Sequence, residues 1–135
     1  MSNDELAVIR AMVTRRAYRK GEIVFREGDD GDELYVVAHG SASARLRLPG
    51  ENRETRLAAF SLGTVFGELA LLDQAARSAT VRADDDLVCY VLSHANFRTL
   101  TQDHPTIAIK LITNLGREMS RSLRRSTRTI YQLAS

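Results

Sequence analysis

Residues 66–81, FGELALLDQAARSATV, bring a glycine, a carboxylate and an arginine into one short segment between predicted strands. Gly67 allows a backbone conformation that other residues avoid, or the close approach of a ligand. A helical turn beginning near Glu68 presents free N–H groups to an anion. Arg77 follows beside two small residues with accessible backbone amides, and a guanidinium beside such amides is a typical phosphate site. The segment therefore predicts an anion-binding site.

The acidic residue in this segment narrows the kind of anion. Glu68 would repel a highly charged phosphate, but a carboxylate accepts hydrogen bonds strongly from a sugar hydroxyl. Glu68 and Arg77 together favour a ligand that carries one phosphate charge next to a ribose 2′-OH. The alternative is a structural salt bridge between these two side chains, inside a fold that binds nothing.

The sequence around this segment predicts an all-β barrel or sandwich. Glycines punctuate the first half of the chain, and short segments of strand character lie between them. In residues 41–48, apolar residues alternate with Ser43, Arg45 and Arg47, which is the two-residue period of a strand with one wet face. The predicted strands are Glu22–Phe25, Glu33–Ala38, Ser41–Leu48, Thr55–Phe60, Ala79–Ala83 and Leu87–Leu92. Cys89 falls in the last of them and is expected in the core.

Helices are predicted at the two ends of the chain. Ser2 and Glu5 form a capping box pattern that opens a short N-terminal helix over residues 1–14. A second helix begins near Ser93, and a third runs from Pro105 to about Tyr131. We expect the first turns of the third helix to pack on the roll and the later turns to face a second subunit, giving a homodimer. Its apolar seam is Leu111, Leu115, Met119 and Leu123.

Composition excludes several classes of protein. At 135 residues and 15.0 kDa the chain is predicted to be one domain, residues 1–135. No apolar run is long enough for a membrane span, and charged residues interrupt the first twenty positions where a signal peptide is apolar, so we expect a cytoplasmic protein. One cysteine excludes an intramolecular disulfide, and the three histidines lack metal-site spacing. Because phosphate-loop and nucleophile motifs are absent, we expect neither an enzyme nor a cofactor.

The net charge of +2 is unevenly distributed. Basic residues crowd the last quarter of the chain, at Lys110, Arg117, Arg121, Arg124, Arg125 and Arg128. Such a run is more typical of a solvated helix face, and positive charge in the last turns suits the helix dipole. A nucleic-acid accessory protein that uses this arginine face is therefore a minor alternative.

The 66–81 segment resembles the phosphate-binding cassette of cyclic nucleotide-binding domains, which occur in the catabolite activator protein, in regulatory subunits of cyclic-AMP-dependent protein kinase and in cyclic-nucleotide-gated channels. The separation of Glu68 from Arg77 matches the kinase regulatory subunit. Upstream, residues 21–40 are similar to the family's glycine framework. The resemblance implies a mainly β fold, a double-stranded β-helix of the jelly-roll type over residues 17–92, with the cassette helix inside it and C-terminal helices over residues 93–135.

The resemblance also implies a set of ligand contacts. Arg77 pairs with the cyclic phosphate, Glu68 binds the ribose 2′-OH, and Gly67 offers a backbone contact. Ser78 and Ala79 add phosphate contacts from a hydroxyl and from backbone N–H groups. The full predicted ligand-binding set is Phe66, Gly67, Glu68, Leu69, Arg77, Ser78, Ala79, Ser126 and Thr127, of which the last two reach the adenine.

The implied function is a bacterial-type sensor of cyclic AMP, with cyclic GMP less favoured because Ser78 matches the catabolite activator's serine. Leu71 is placed where the family senses its C-terminal helix, so ligand binding is expected to reposition that helix. The chain ends at Ser135, where the catabolite activator continues into a helix-turn-helix domain, so direct transcription-factor activity is not expected. Residues 115–118 are similar to the helix that ends such domains behind transporters and metabolic enzymes, which implies a fused or separate effector. The alternative is a roll that binds no ligand and serves as a dimerisation or docking module.

Overall fold

A computed structural model describes residues 2–50, 52–67, 76–117 and 121 of the chain. Within these residues, eight strands and three helices follow one another. Their bounds are α1 (Asn3–Met12), β1 (Val13–Tyr18), β2 (Ile23–Phe25), β3 (Glu33–His39), β4 (Ala42–Arg47), β5 (Glu54–Phe60), β6 (Val65–Phe66), β7 (Thr80–Ala83), β8 (Leu87–Ser93) and α2 (His94–Asp103), followed by α3 over residues 105–117. The predicted mainly β fold with flanking helices is confirmed.

The strands form two antiparallel four-stranded sheets. The first sheet has the order β1-β8-β3-β6 and the second β2-β7-β4-β5. Each sheet mixes strands from the beginning and the end of the roll, since β1 pairs with β8 and β2 pairs with β7. Such alternation between sheets is the wrapped topology of a jelly-roll-like β-roll, and it brings the ends of distant strands together.

Six of the eight strands lie where the sequence predicts them, with shifts of one residue at their ends. Two strands were not predicted. The sequence predicts the N-terminal helix to residue 14 and the start of the roll at residue 17, but α1 ends at Met12 and β1 (Val13–Tyr18) begins the roll at residue 13. The reason is pairing, because all six residues of β1 are in register with β8. The other, Val65–Phe66, is two residues long and too short to give a periodic pattern.

The predicted helix starts are confirmed by their caps. The Ser2 hydroxyl accepts from the Glu5 backbone N–H at 3.2 Å, and the Ser2 backbone N–H donates to Glu5 Oε1 at 2.9 Å. The same carboxylate accepts from Lys110 Nζ of α3 at 2.7 Å, and this bond together with those to Ser2 lowers the Glu5 pKa to about 2. Ser93 caps α2 by accepting from the Asn96 N–H. Glu5 therefore both closes α1 and ties it to α3.

The core lies in two places. Between the sheets, the buried residues are Tyr35, Val37, Ala42, Phe66, Val81, Ala83, Leu87, Cys89 and Val91, which confirms the core position predicted for Cys89. Outside the first sheet, Leu34, Leu92 and Phe97 form a second cluster that Leu111 and Leu115 cover. The first turns of α3 thus pack on the roll as predicted, whereas Met119 and Leu123 of the predicted seam lie outside the described residues. In the described part of the chain no helix is long and apolar enough to cross a membrane.

Gly40 lies between β3 and β4 and sets a prediction for stability. Its φ is +78°, and a Cβ built there would lie 2.1 Å from the backbone oxygen of Asp86. Gly40→Ala is expected to lower the free energy of unfolding by about 2–4 kcal/mol. Alanine is strained at a positive φ, and the backbone at Asp86 also has to move to make room for the Cβ. The matched control is Gly21→Ala, whose φ is +88° but whose Cβ meets nothing within 4 Å. Urea denaturation of both variants measures the difference, and equal losses would contradict the assigned clash.

Candidate functional site

Arg77 precedes β7 and is held from both sides by backbone hydrogen bonds. Its N–H donates to the carbonyl of Asp29 at 2.8 Å, and its own carbonyl accepts from the Gly28 N–H at 2.8 Å. These bonds fasten Arg77 to the loop between β2 and β3. Its side chain is 8% exposed, so a guanidinium, which is almost never buried without a partner, lies inside the roll.

The partners of this guanidinium are neutral. Arg77 Nη2 donates to the Glu33 carbonyl at 2.8 Å, and Nη1 donates to the Gly67 carbonyl at 3.3 Å. Nε is buried and makes no hydrogen bond, and none of the ion pairs between described residues includes Arg77. A buried charge without a counter-charge costs several kcal/mol unless an anion neutralises it. The chemistry of the described site is therefore that of an anion receptor.

An aromatic surface lies against the guanidinium. Arg77 Cζ lies 4.1 Å from the centre of the Phe25 ring and 5.8 Å from that of Tyr35. A guanidinium over a ring is stabilised by the negative face of the π-system, most strongly where water is excluded. The rings also pack on each other, with 5.7 Å between the Phe25 and Tyr35 centroids. Phe25 was not predicted as a site residue, because its strand pattern indicates only core packing.

The side chain of Phe66, a predicted ligand-binding residue, lies in the core. It is 2% exposed, and its ring stacks on those of Tyr35 and Phe60 at 4.9 Å. The side chain therefore packs between the sheets of the roll. Its strand pairing with Tyr35 explains this position, since both residues point between the sheets.

Gly67 adopts a left-handed backbone conformation, which confirms the prediction that this position needs a glycine. Its φ is +73°, and a Cβ built there would lie 2.7 Å from Arg77 Nη1 and 3.1 Å from the Glu33 carbonyl oxygen. A side chain at position 67 would thus displace the guanidinium from its carbonyl partners. The absence of a side chain at Gly67 leaves room for the guanidinium of Arg77.

The remaining predicted contacts divide into two groups. Ser78 is exposed and Ala79 is half-buried, and both follow Arg77 directly at the start of β7. Their backbone N–H groups donate to none of the turn and loop carbonyls in the described residues. The structure therefore brings Gly67, Arg77, Ser78 and Ala79 together. Glu68, Leu69, Leu71, Ser126 and Thr127 lie outside the described residues.

A charged pair next to the site was missed by the sequence reasoning. Both oxygens of the Glu33 carboxylate accept from Arg16, at 2.6 and 3.0 Å, and one also accepts from the Tyr35 hydroxyl at 3.1 Å. The hydrogen bonds from Arg16 lower the pKa of Glu33, and the nearby charge of Arg77 acts in the same direction. The signal that was available is the alternation of Glu33, Tyr35 and Val37 along β3, which puts the carboxylate on the inner face.

Comparison with known proteins identifies the family. The model of the cyclic nucleotide-binding domain matches residues 15–104, which is most of the chain. This chain belongs to the cyclic nucleotide-binding domain family. Glutaminase 2 of Bradyrhizobium diazoefficiens is 33% identical over 123 residues, which are 91% of this chain and 19% of that protein. The chain spans between about a tenth and a quarter of the length of the curated relatives it matches.

Solved structures agree with this family in fold. A cyclic nucleotide-binding domain from Methylobacillus flagellatus superposes with a TM-score of 0.91 at 23% identity, covering 98% of this chain and 74% of that one. The catabolite activator protein of Thermus thermophilus gives a TM-score of 0.78 at 30% identity, covering 99% of this chain and 61% of that one. The resemblance to catabolite-activator-like domains is confirmed.

The ion pair of Glu33 predicts how stability depends on pH. Because the folded pKa of Glu33 lies below its ordinary value of 4.5, the pair stabilises the protein above that pH and loses its contribution as the pH falls. Glu33→Gln is expected to lower the free energy of unfolding by about 1 kcal/mol at pH 7, and the difference from wild type is expected to shrink below about pH 4. Urea denaturation between pH 7 and pH 3 measures it, with the exposed Glu22→Gln as control. A pH-independent difference would contradict this account.

Proposed function

We propose that this chain is a regulatory domain that binds cyclic AMP and that Arg77 pairs with the cyclic phosphate. The observation that carries the proposal is the buried guanidinium with an unpartnered Nε and no carboxylate partner among the described residues. A cyclic nucleotide has one phosphate charge, so a single guanidinium neutralises it. The guanidinium fork also suits phosphate oxygens in geometry.

The rest of the ligand is assigned from the family resemblance and from what surrounds Arg77. Ser78 and Ala79 offer a hydroxyl and two backbone N–H groups next to the guanidinium, which is how phosphate oxygens are held by short polar loops. Glu68 accepts from the ribose 2′-OH, and Ser126 and Thr127 contact the adenine. The phosphate contacts have support from the described geometry, and the sugar and base contacts rest on the resemblance alone.

Our proposal includes a switch that acts through α3. This helix covers the cluster of Leu34, Leu92 and Phe97 and is tied to α1 by the Glu5–Lys110 ion pair. Ligand drawn to Arg77 moves the cassette, and the C-terminal helix takes a new position over the base. A ligand drives such a change only if it binds one arrangement more tightly than the other.

The proposed role is regulation of an effector rather than catalysis. Glutaminase 2 is about five times longer than the matching region, which supports a module attached to larger proteins. A docking module without nucleotide binding is the second candidate. It is favoured by the exposure of Ile109 and Ile112 on α3, at 64% and 44%, because apolar side chains on an exposed helix face suit a protein partner.

The direct test of the proposal is loss of the Arg77 charge. Arg77→Gln is expected to weaken binding of cyclic AMP by roughly 30-fold to several thousand-fold, because truncating one partner of a buried charge pair costs about 2–5 kcal/mol. Isothermal titration calorimetry of refolded, nucleotide-free protein measures the affinity. Arg98→Gln on the exposed side of α2 removes the same charge and is expected to bind like wild type. An Arg77→Gln affinity within threefold of wild type would contradict the assigned role.

The proposed preference for cyclic AMP gives a separate prediction for Ser78. If its hydroxyl contacts the phosphate, which both nucleotides share, Ser78→Ala weakens cyclic AMP and cyclic GMP alike, by roughly fivefold. Wild-type protein is expected to bind cyclic AMP more tightly than cyclic GMP in the same titrations. The exposed loop substitution Ser61→Ala serves as control. Selective loss of cyclic GMP binding in Ser78→Ala would instead assign the hydroxyl to guanine recognition.

A further inference from the structure

Glu33 has two different relations to Arg77. Its backbone carbonyl accepts from Arg77 Nη2 at 2.8 Å, so it helps to position the guanidinium. Its carboxylate faces the same inner region, since the Tyr35 hydroxyl that donates to it belongs to the ring 5.8 Å from Arg77 Cζ. The charge of Arg77 contributes to lowering the pKa of the Glu33 carboxyl, so the carboxylate and the guanidinium interact electrostatically.

Arg16 holds that negative charge. Arg16 reaches the Glu33 carboxylate from β1 with a bidentate pair at 2.6 and 3.0 Å, the strong geometry for a guanidinium and a carboxylate. The Glu33 side chain is 22% exposed and that of Arg16 is 41% exposed, so the pair lies at the end of the roll rather than in its core. None of the described ion pairs joins Glu33 to Arg77.

We propose that Arg16 is a positioning residue for the anion site, because it holds the Glu33 carboxylate and so prevents that carboxylate from neutralising Arg77. The inference rests on the proposed function of Arg77. Without Arg16, Arg77 is the remaining cation among the groups that act on the Glu33 carboxylate, and a carboxylate paired there competes with the phosphate of the ligand. The charged and titratable groups that face Glu33 are Arg16, Tyr18, Tyr35 and Arg77.

A salt bridge that only stabilises the fold would behave differently. Removing Arg16 or removing both Arg16 and Glu33 abolishes the bridge equally, so a structural role predicts equal effects on binding. A protective role predicts unequal effects, because the loss of binding in the single variant is caused by the carboxylate that the double variant lacks. The Glu33 carbonyl, which holds Arg77, is present in every variant.

Calorimetric titration with cyclic AMP tests this difference. Arg16→Met is expected to bind on the order of tenfold more weakly. Arg16→Met/Glu33→Gln is expected to return to within about twofold of wild type. Arg16→Lys, which retains the charge, is expected to retain most of the affinity. The matched control is Arg15→Met, which removes the same charge from the exposed face of the same strand. A double variant as weak as Arg16→Met, or an Arg16→Met variant as tight as wild type, overturns the proposal.

A second readout does not depend on nucleotide binding. The pKa of Glu33 is measured by NMR from its labelled carboxyl carbon in ligand-free protein. In Arg16→Met, the pKa of Glu33 is expected to stay below 4.5, the ordinary value of a glutamate, because the carboxylate pairs with Arg77 instead. When Arg77→Gln is added to this variant, the pKa is expected to rise. If wild type binds neither nucleotide, the proposed function fails, and this titration still decides whether Glu33 turns to Arg77. A pKa that rises fully in Arg16→Met alone overturns the inference.

Discussion

Burial of the Arg77 guanidinium is the constraint on which the rest of the site depends. The residue is 8% exposed, two of its side-chain nitrogens donate to carbonyls, and the third has no hydrogen-bond partner among the described residues. Carbonyl dipoles and the Phe25 ring stabilise the charge in part but leave it positive. Among the described residues no counter-charge is paired with this cation, which favours an anion as ligand.

The topology of the roll makes this arrangement possible. The carbonyl of Glu33 comes from β3, that of Gly67 follows β6, and the aromatic face comes from β2, while Arg77 itself precedes β7. These segments are far apart in sequence. They meet because the chain passes back and forth between the two sheets. The wrapped sheets thus form a rigid support for one side of the site. Helix α3 packs on the same framework through the cluster outside the first sheet.

Short sequence patterns predicted the features that are determined within a single turn of the chain. The capping box at Ser2, the cap at Ser93 and the conformation of Gly67 follow from rules about single turns. Other features depend on residues that are distant in sequence. Strand β1 is explained by its pairing with β8, and the core position of Phe66 by its stacking on Tyr35. Arg16 and Glu33 lie seventeen residues apart, and no pattern in the sequence connects them.

The central claim is that the unpartnered Nε of Arg77 receives the phosphate of the ligand. The most direct measurement is the proton and nitrogen NMR signal of the Arg77 Nε–H group during titration with cyclic AMP. The account predicts that this signal moves to higher proton frequency and that its exchange with water slows, because a charge-assisted hydrogen bond forms at that atom. A saturating titration that leaves the Nε–H signal of Arg77 unchanged while cyclic AMP binds would contradict it.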